Sequence, residues 1–372
     1  MPPGLAKRRN WKAAFDMPHA IKLALLGCGD VAQRDYLPES HRLAGRAEWV
    51  AVCGRTPERA RDVAARYGIP AWYTSYPEML ANSGADAVIN LTPIQAHTAT
   101  SLAALRAGKH VYSEKPAATS LADAQHLRVE AVQRGLVFVA APSVMLFPQV
   151  RFAQELVRSG RIGRVNAALG RGYGGVPPWG GYPSDPSPFF AKGGGPLADM
   201  GVYPLHALTG ILGPVRRVSA FASQIQDGFD VSEGPWTGKR IPVEVEDNWH
   251  LLLDFGEGRI ASVTANNVAR DSQAPQMELF GLDGTIAVDL LDVSAPVETL
   301  LPGDGWQQHH LPHQRDAGPD HLLGVEHLIE CIISGAPPIP SIDHAIHVIE
   351  IMEAAARSSR TGQAVELRTT FG

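Results

Sequence analysis

The sequence has few cysteines and no long apolar segment. Its three cysteines, Cys28, Cys53 and Cys331, form no metal-type pair, and so small and odd a number is typical of a reducing compartment, so we expect a cytoplasmic protein. No apolar run approaches the roughly 18 residues of a membrane span. The net charge of −5 comes without a basic stripe, which excludes nucleic acid and membrane surfaces as expected partners.

Histidines are more numerous, but they do not predict a metal site. His309, His310 and His313 lie in a polar loop that has no acidic or cysteine partner at zinc spacing. We therefore interpret this segment as a solvated loop. Residues 1–19 are basic and lack an apolar core, which predicts a flexible tail rather than a signal peptide.

The stretch Ile21–Ala32 combines a buried strand with a turn of small residues. Leu23–Leu26 form a short continuous apolar run, as in a strand covered on both faces of a parallel sheet. The turn that follows has glycines at the positions where a dinucleotide-binding turn needs residues with little or no side chain. Its backbone amides would face a phosphate. Such a turn also joins strands to helices without any ligand. The candidate cofactor residues are Gly27, Gly29, Asp30, Val31 and Ala32.

Strands and helices alternate along the first 140 residues. We predict strands at 49–53, 87–91, 110–113 and 136–140, with helices at 58–67, 97–107 and 121–134. This order predicts a doubly wound parallel sheet, which binds ligands beyond the carboxyl ends of its strands. Five further candidate cofactor residues fall at that edge: Thr92, Pro93, His97, Glu114 and Lys115.

The end of the second strand bears on the choice of cofactor. An acidic residue there usually holds the ribose 2′-hydroxyl of NAD, but this sequence has Gly54, followed by Arg55 and Arg59. Two arginines are suited to a 2′-phosphate, so we favour NADP over NAD. Alternatively, both arginines are solvated charges on the next helix.

The pattern changes near residue 147. A helix is predicted at 149–159 and a strand at 165–169, and an irregular Pro-rich stretch follows at 174–192. Strands at 218–223, 249–255, 259–265, 277–281 and 284–289 read as hairpins, and helices at 322–334 and 342–358 close the chain. We therefore expect an α/β protein with a tail at 1–19, a Rossmann domain at 20–145, and a second α/β domain at 146–372 whose open sheet is predominantly antiparallel.

Four residues are candidates for chemistry: Lys115, Asp199, Tyr203 and His206. A lysine that precedes proline at a strand end points into the crevice and can stabilise a developing alkoxide. If residues 198–208 are helical, the other three share one face, and the lysine would supply the cation that a tyrosine base needs. Alternatively, the lysine pairs only with Glu114 or holds cofactor ribose, the tyrosine lies at an interface, and the histidine faces the core.

These motifs, in this order, resemble the glucose–fructose oxidoreductase, inositol dehydrogenase and rhizopine catabolism (Gfo/Idh/MocA) family over about residues 20–367. The resemblance implies a Rossmann domain followed by an α/β domain whose open sheet makes the subunit contact, hence a homodimer or homotetramer. It also implies that Lys115 contacts nicotinamide ribose and substrate. Tyr203 stands where many members have histidine, as in the branch of glucose–fructose oxidoreductase and dihydrodiol dehydrogenase. The motifs are GCGDVA, TPIQAH, AGKHVYSEKP, GGGPLADMGVYPLH, VEVED and SSRTGQAVEL.

The resemblance implies an NAD(P)-dependent oxidoreductase that transfers hydride between nicotinamide and a secondary alcohol or carbonyl of a sugar, cyclitol or related polyol. Tyr203 would transfer the hydroxyl proton, while Lys115 would hold the substrate oxygen and lower the phenol pKa. Asp199 would orient the substrate or Lys115, and His206 would bind hydroxyls. Two alternatives stay open, namely a non-catalytic dinucleotide-sensing regulator and a lyase or glycosidase with tightly bound NAD.

Overall fold

A computed structural model describes residues 20–174, 177, 182–269 and 272–372, so the predicted tail and part of the Pro-rich stretch lie outside the described residues. The first half forms a six-stranded parallel sheet in the order β3-β2-β1-β4-β5-β6, which confirms the doubly wound sheet. Its strands are β1 (Ile21–Leu26), β2 (Ala47–Cys53), β3 (Ala71–Tyr73), β4 (Ala87–Asn90), β5 (His110–Ser113) and β6 (Phe138–Ala140).

The strand order of this sheet reverses between β1 and β4, so the connections that leave these two strands diverge. Such a switch point opens a crevice at the carboxyl ends of the strands, where ligands of open α/β sheets bind. The helices that cover the sheet are α1 (Pro57–Tyr67), α2 (Tyr76–Asn82), α3 (His97–Arg106) and α4 (Leu121–Arg134). The sequence analysis did not predict β3 and α2, which are only three and seven residues long.

The second sheet has nine strands in the order β16-β15-β14-β13-β7-β12-β11-β8-β17. Among its described pairs, only β7 and β12 run parallel, which confirms a predominantly antiparallel sheet. A separate hairpin joins β9 (Gly228–Asp230) to β10 (Arg240–Pro242). The strands are β7 (Val165–Gly172), β8 (Arg217–Ser223), β11 (Asn248–Gly256), β12 (Arg259–Asn266), β13 (Met277–Gly281), β14 (Gly284–Val288), β15 (Val297–Leu300), β16 (Gln307–His309) and β17 (Val365–Glu366).

One face of this second sheet packs against the helices α5 (Pro148–Arg158) and α6 (Val202–Leu212). Residues alternate between the two faces, so Leu251 and Leu253 of β11 are buried whereas Leu252 between them is 54% exposed. Phe221 and Ile260, on the two strands that flank β11, are also exposed. The outer face of the sheet is therefore partly apolar.

The last two helices both contact the first half of the chain, and the second of them also packs against β8 of the second sheet. Leu322 and Val325 of α7 (Leu322–Ser334) share a hydrophobic core with Leu23 of β1, and α8 (Ile342–Thr361) packs beside α4. Helix α7 thus covers the first sheet although it follows all but the last strand of the second sheet in the chain. Helices long and apolar enough to cross a membrane are absent from the part of the chain that the structure describes.

A buried ion-pair network fixes the point at which the chain returns. The Arg42 guanidinium donates to both Asp320 oxygens at 2.9 Å and to Glu326 at 2.5 Å. The Arg42 side chain is only 6% exposed. Removing it would leave the buried Asp320 carboxylate unpaired and Glu326 with Arg46 as its remaining partner. This network holds residue 320 and the start of α7 against the segment between β1 and β2.

Candidate active site

The glycine turn after β1 has backbone geometry that only small residues permit. Gly27 has φ +97°, and a Cβ there would lie 2.5 Å from the Leu91 carbonyl oxygen. A Cβ on Gly29 would come within 3.3 Å of Ser184 Oγ. The turn leads into a short π-helix, Ala32–Tyr36, and the Asp30 amide donates to Ser184 Oγ at 3.2 Å. Backbone amides and missing side chains at a switch point fit a dinucleotide phosphate.

Residues 182–187 place this serine over the glycine turn. Lys239 Nζ anchors the segment, donating to Asp185 Oδ1 at 2.8 Å and to Ser187 Oγ at 2.8 Å. The second half of the chain therefore contributes a hydroxyl beside the turn. Sequence reasoning missed Ser184 because it is 154 residues from its partner amide.

Packing accounts for Gly54 at the end of β2. A Cβ at this position would lie 2.3 Å from Cys28 Sγ, so glycine is needed here with or without a cofactor. Arg55 and Arg59 are exposed. Burial raises the pKa of the Cys28 thiol, and the positive charge of Arg59 opposes that rise, which places Arg59 within electrostatic range of the glycine turn.

His97 joins the loops that follow β4 and β5. Its two ring nitrogens lie 2.7 Å from the carbonyl oxygens of Thr92 and Pro116, and the residue is 1% exposed. Burial lowers the His97 pKa, although the two carbonyl contacts oppose this shift. Since protein groups occupy both nitrogens, His97 positions the loops that carry Thr92 and Lys115 instead of reaching a cofactor itself.

Lys115 and Asp199 form the ion pair at the centre of the site. Lys115 Nζ donates to the Asp199 carbonyl oxygen at 2.7 Å and to Asp199 Oδ1. The same nitrogen lies over the Tyr203 ring, 5.3 Å from its centroid. Asp199 and Tyr203 are 2% and 5% exposed, so the structure brings together three of the four predicted residues in a largely buried cluster.

The backbone around Asp199 differs from the predicted helix over 198–208. Leu197–Gly201 form a π-helix, and α6 begins at Val202. Hydrogen bonds of the π type join residues i and i+5. They are uncommon in proteins overall, but those that occur are often found at functional sites. The three glycines before this turn serve close packing, because a Cβ on Gly194 would lie 2.5 Å from the Pro188 carbonyl oxygen.

The electrostatic environment keeps the Tyr203 phenol protonated. Burial raises its pKa well above the ordinary value near 10, and the negative charges of Glu114, Asp199 and Asp35 raise it further. The Lys115 ammonium group, which is paired with Asp199 and faces the ring, does not offset these effects, so the pKa is raised overall. A neutral phenol is a proton donor.

Glu114 lies beneath this cluster, where its carboxylate does not pair with the ammonium group of Lys115. It accepts from Tyr36 Oη at 2.5 Å and from the Lys115 backbone amide at 2.9 Å. Burial would raise its pKa, but the charges of His321 and Lys115 and the two donors outweigh that effect and lower it. Sequence reasoning found no signal for Tyr36 or His321, which complete this buried group.

His206 points away from the ion pair. Its ring lies 4.7 Å from that of His344 on α8, and its buried Nδ1 has no hydrogen-bond partner among the described residues. Burial and the neighbouring His344 and His347 lower its pKa well below 6.5. The described contacts do not join it to Lys115, Asp199 or Tyr203. The structure therefore supports the alternative of a histidine that faces the core, and not the predicted substrate contact.

These buried neutral histidines predict acid sensitivity. Unfolded histidines bind a proton near pH ~6.5, whereas native His206 stays neutral and burial lowers the pKa of His344 to about 3. Below that unfolded pKa the unfolded state binds more protons, so the free energy of unfolding falls as pH falls. Each such histidine changes the free energy of unfolding by up to about 1.4 kcal/mol per pH unit. The free energy of unfolding, measured in urea from about pH 6.5 to 4.5, should depend less on pH in His206→Leu than in the unmodified protein. The exposed His41→Gln should leave that dependence unchanged. An unchanged slope in His206→Leu would contradict the neutral state of His206.

Two family models match the chain in the order of its two sheets. The model for the oxidoreductase family with an NAD-binding Rossmann fold matches residues 21–141, and that for the GFO/IDH/MocA C-terminal domain matches residues 150–287. Together they span both halves of the candidate site.

Curated relatives and solved structures agree with these matches. An uncharacterized oxidoreductase of Rhizobium meliloti is 32% identical over 92% of this chain and 98% of its own. The trans-1,2-dihydrobenzene-1,2-diol dehydrogenase of Sus scrofa is 28% identical over 81% of this chain and 85% of its own. A dTDP-3,4-didehydro-2,6-dideoxy-alpha-D-glucose 3-reductase of Streptomyces violaceoruber is 34% identical, but the match covers only 54% of this chain and 56% of that relative.

Among solved structures, the aldose-aldose oxidoreductase of Caulobacter crescentus complexed with glycerol superposes with TM-score 0.78 at 25% identity, covering 94% of this chain and 100% of that one. The chain therefore belongs to the Gfo/Idh/MocA family of NAD-binding oxidoreductases.

Proposed function

We propose that this protein transfers hydride between a nicotinamide dinucleotide and a secondary alcohol or carbonyl of a sugar, cyclitol or related polyol. One observation carries the proposal: a buried lysine–aspartate pair and a protonated tyrosine lie at the carboxyl edge of a parallel sheet whose switch point carries a glycine turn. The first half provides a cofactor site, and the second half provides an acid beside it.

The hydrogen-bonding capacity of the cluster fits a hydroxylated substrate. A lysine ammonium has three donors, and Asp199 takes two of those of Lys115. The third donor is available to a ligand oxygen. Asp199 Oδ2 is buried without a partner among the described residues, so it offers an acceptor for a ligand hydroxyl. A carbonyl or alcohol next to a second hydroxyl satisfies both groups.

Each residue then has a defined part in carbonyl reduction. The Tyr203 phenol, kept protonated by its surroundings, donates its proton to the substrate oxygen. The Lys115 ammonium stabilises negative charge that develops on that oxygen, and Asp199 holds the ammonium in place. When bound, the nicotinamide supplies or accepts the hydride. The turn around Gly27 and Gly29 is the part of the chain that would hold its pyrophosphate.

The names of the relatives support this substrate class. They describe a diol on a six-membered carbocycle, a reduction at ring position 3 of a dideoxyglucose, and an oxidoreductase of aldoses whose structure contains glycerol. The compounds in these names carry oxygen on neighbouring carbon atoms. The free Lys115 donor and the free acceptor Asp199 Oδ2 require that pattern.

Tyr203→Phe tests this assignment, because it removes the phenolic hydroxyl and keeps the ring. General acid–base help is worth about 10²–10⁴-fold, so we expect kcat to fall within that range while cofactor binding survives. The measurement is single-turnover reduction of a panel of keto sugars and keto polyols, followed by the absorbance of the reduced nicotinamide.

The control for this experiment is His206→Leu on the same helix, which should flatten the pH dependence of stability and leave the chemical step nearly unchanged. If His206→Leu abolishes hydride transfer and Tyr203→Phe does not, the proton belongs to His206. If the unmodified protein shows no net turnover of NADH or NADPH with any member of the panel, the proposed reaction is wrong, and a lyase or a cofactor-sensing regulator is favoured.

We further propose that the preferred cofactor is NADP. Gly54 and not a carboxylate directly follows β2, Arg55 and Arg59 are exposed, and Arg59 lies within electrostatic range of the glycine turn. Arg59→Ala should weaken NADPH binding by about 10-fold, the low end for a charge-assisted hydrogen bond because the side chain is exposed, and should leave NADH binding unchanged. Arg61→Ala, which removes another exposed arginine of α1, is the control for nonspecific charge effects. Equal affinity of the unmodified protein for both cofactors, measured by calorimetry, would overturn this preference.

We also propose that the protein assembles as a homodimer or homotetramer through the outer face of its nine-stranded sheet. Phe221, Leu252 and Ile260 are 81%, 54% and 53% exposed on neighbouring strands, and burying such a patch favours association. Sedimentation velocity should show an oligomer, and Leu252→Glu should shift it towards monomer. Leu282→Glu alters an equally exposed residue, in the turn between β13 and β14, and should not. A monomeric unmodified protein would contradict this proposal.

A further inference from the structure

His321 contacts the proposed proton donor from a part of the chain that none of the recognised motifs includes. Its ring makes an edge contact with the Tyr203 ring, with centroids 6.5 Å apart and planes at 67°. It also stacks on the ring of Tyr36, with centroids 6.0 Å apart and planes at 22°. The residue is 7% exposed, and no described hydrogen bond occupies either ring nitrogen. An unoccupied imidazole thus lies against the proton donor.

The position of His321 is fixed on both sides along the chain. Asp320 accepts two hydrogen bonds from Arg42, and α7 begins at Leu322 and packs against the first sheet. A histidine between these two anchors has little freedom to leave its contact with Tyr203. This placement is what a group that exchanges a proton with the phenol requires.

Two buried carboxylates lie within electrostatic range of the imidazole. Asp35 is 2% exposed and bound by Arg34 at 2.9 Å and by Arg315 at 2.8 Å. Glu114 is hydrogen-bonded to Tyr36, the ring on which His321 stacks. The titratable and charged groups around His321, taken over all elements packed against it, are Arg34, Asp35, Tyr36, Arg42, Glu114, Lys115, Asp199, Tyr203, Arg315 and Asp320.

We propose that His321 is a positioning residue that returns a proton to Tyr203 during turnover, which rests on the function proposed above. In carbonyl reduction the phenol gives its proton to the substrate oxygen and becomes a phenolate. The imidazolium of His321 then gives a proton to the phenolate, directly or through one bridging water, and is reprotonated by solvent. In alcohol oxidation the protons move in the opposite direction. Only protons move in this step, so no further reactant is needed.

The first test measures proton exchange through steady-state turnover. In His321→Gln, kcat for carbonyl reduction should fall about 100-fold, the low end of the range for general acid–base help, and its pH dependence between about pH 5 and 8 should flatten. In His321→Ala, added imidazole should restore activity in a concentration-dependent way, which a merely structural role does not explain. His126→Gln, which changes an exposed histidine on α4, is the control and should behave as the unmodified protein.

A second measurement does not depend on activity. With ¹⁵N-labelled histidine, the ring nitrogen resonances of His321 should shift in Tyr203→Phe and stay in place in His126→Gln. If His321→Gln keeps the normal kcat and pH profile while Tyr203→Phe loses activity, the relay is wrong and the proposed function stands. If the unmodified protein shows no nicotinamide turnover, the proposed function fails, and unchanged His321 resonances in Tyr203→Phe would then overturn the contact itself.

Discussion

The ion pair between Lys115 and Asp199 joins the two halves of the protein at the point where chemistry is proposed. Lys115 follows the fifth strand of the parallel sheet, and Asp199 lies in the π-turn that begins the helix against the second sheet. Neither group can be buried alone without a large desolvation penalty, so each requires the other. The pair therefore fixes the distance between the cofactor edge and the helix that carries Tyr203, and it leaves one donor and one acceptor for a ligand.

The pair also decides which proton donor the site can use. Because the ammonium group is committed to Asp199 and faces the Tyr203 ring, it does not offset the burial and the carboxylates that raise the phenol pKa. In the proposed reaction Tyr203 is consequently the acid, and the proton that it gives away is replaced from a neighbour. His321 is in contact with it because Arg42 and α7 hold residues 320–334 on the first sheet. The return of the chain to that sheet thus serves both the core and the site.

Short-range patterns in the sequence were sufficient to predict much of the fold and of the candidate site. The apolar run before Gly27, the alternation of strands and helices, and the spacing of Asp199 and Tyr203 each depend on residues close together in the chain, and the structure confirms the fold class they predicted. His206 shows where such reasoning fails, because the π-turn and the packing of α8 decide which way its ring faces. Ser184, Tyr36 and His321 were missed for the same reason. Each reaches the site through contacts with residues far away in sequence, and no local pattern encodes such contacts.

The most direct test of the central claim is the ionisation of Tyr203 itself. In protein with ¹³C-labelled tyrosine, the Cζ resonance of Tyr203, assigned from its loss in Tyr203→Phe, should remain that of a neutral phenol at and above pH ~10, where exposed tyrosines titrate. In Asp199→Asn, which removes a negative neighbour and releases the Lys115 ammonium, the midpoint should move to lower pH. A Tyr203 resonance that titrates below pH ~10 in the unmodified protein would contradict the account, because Lys115 would then stabilise a phenolate instead of pairing with Asp199.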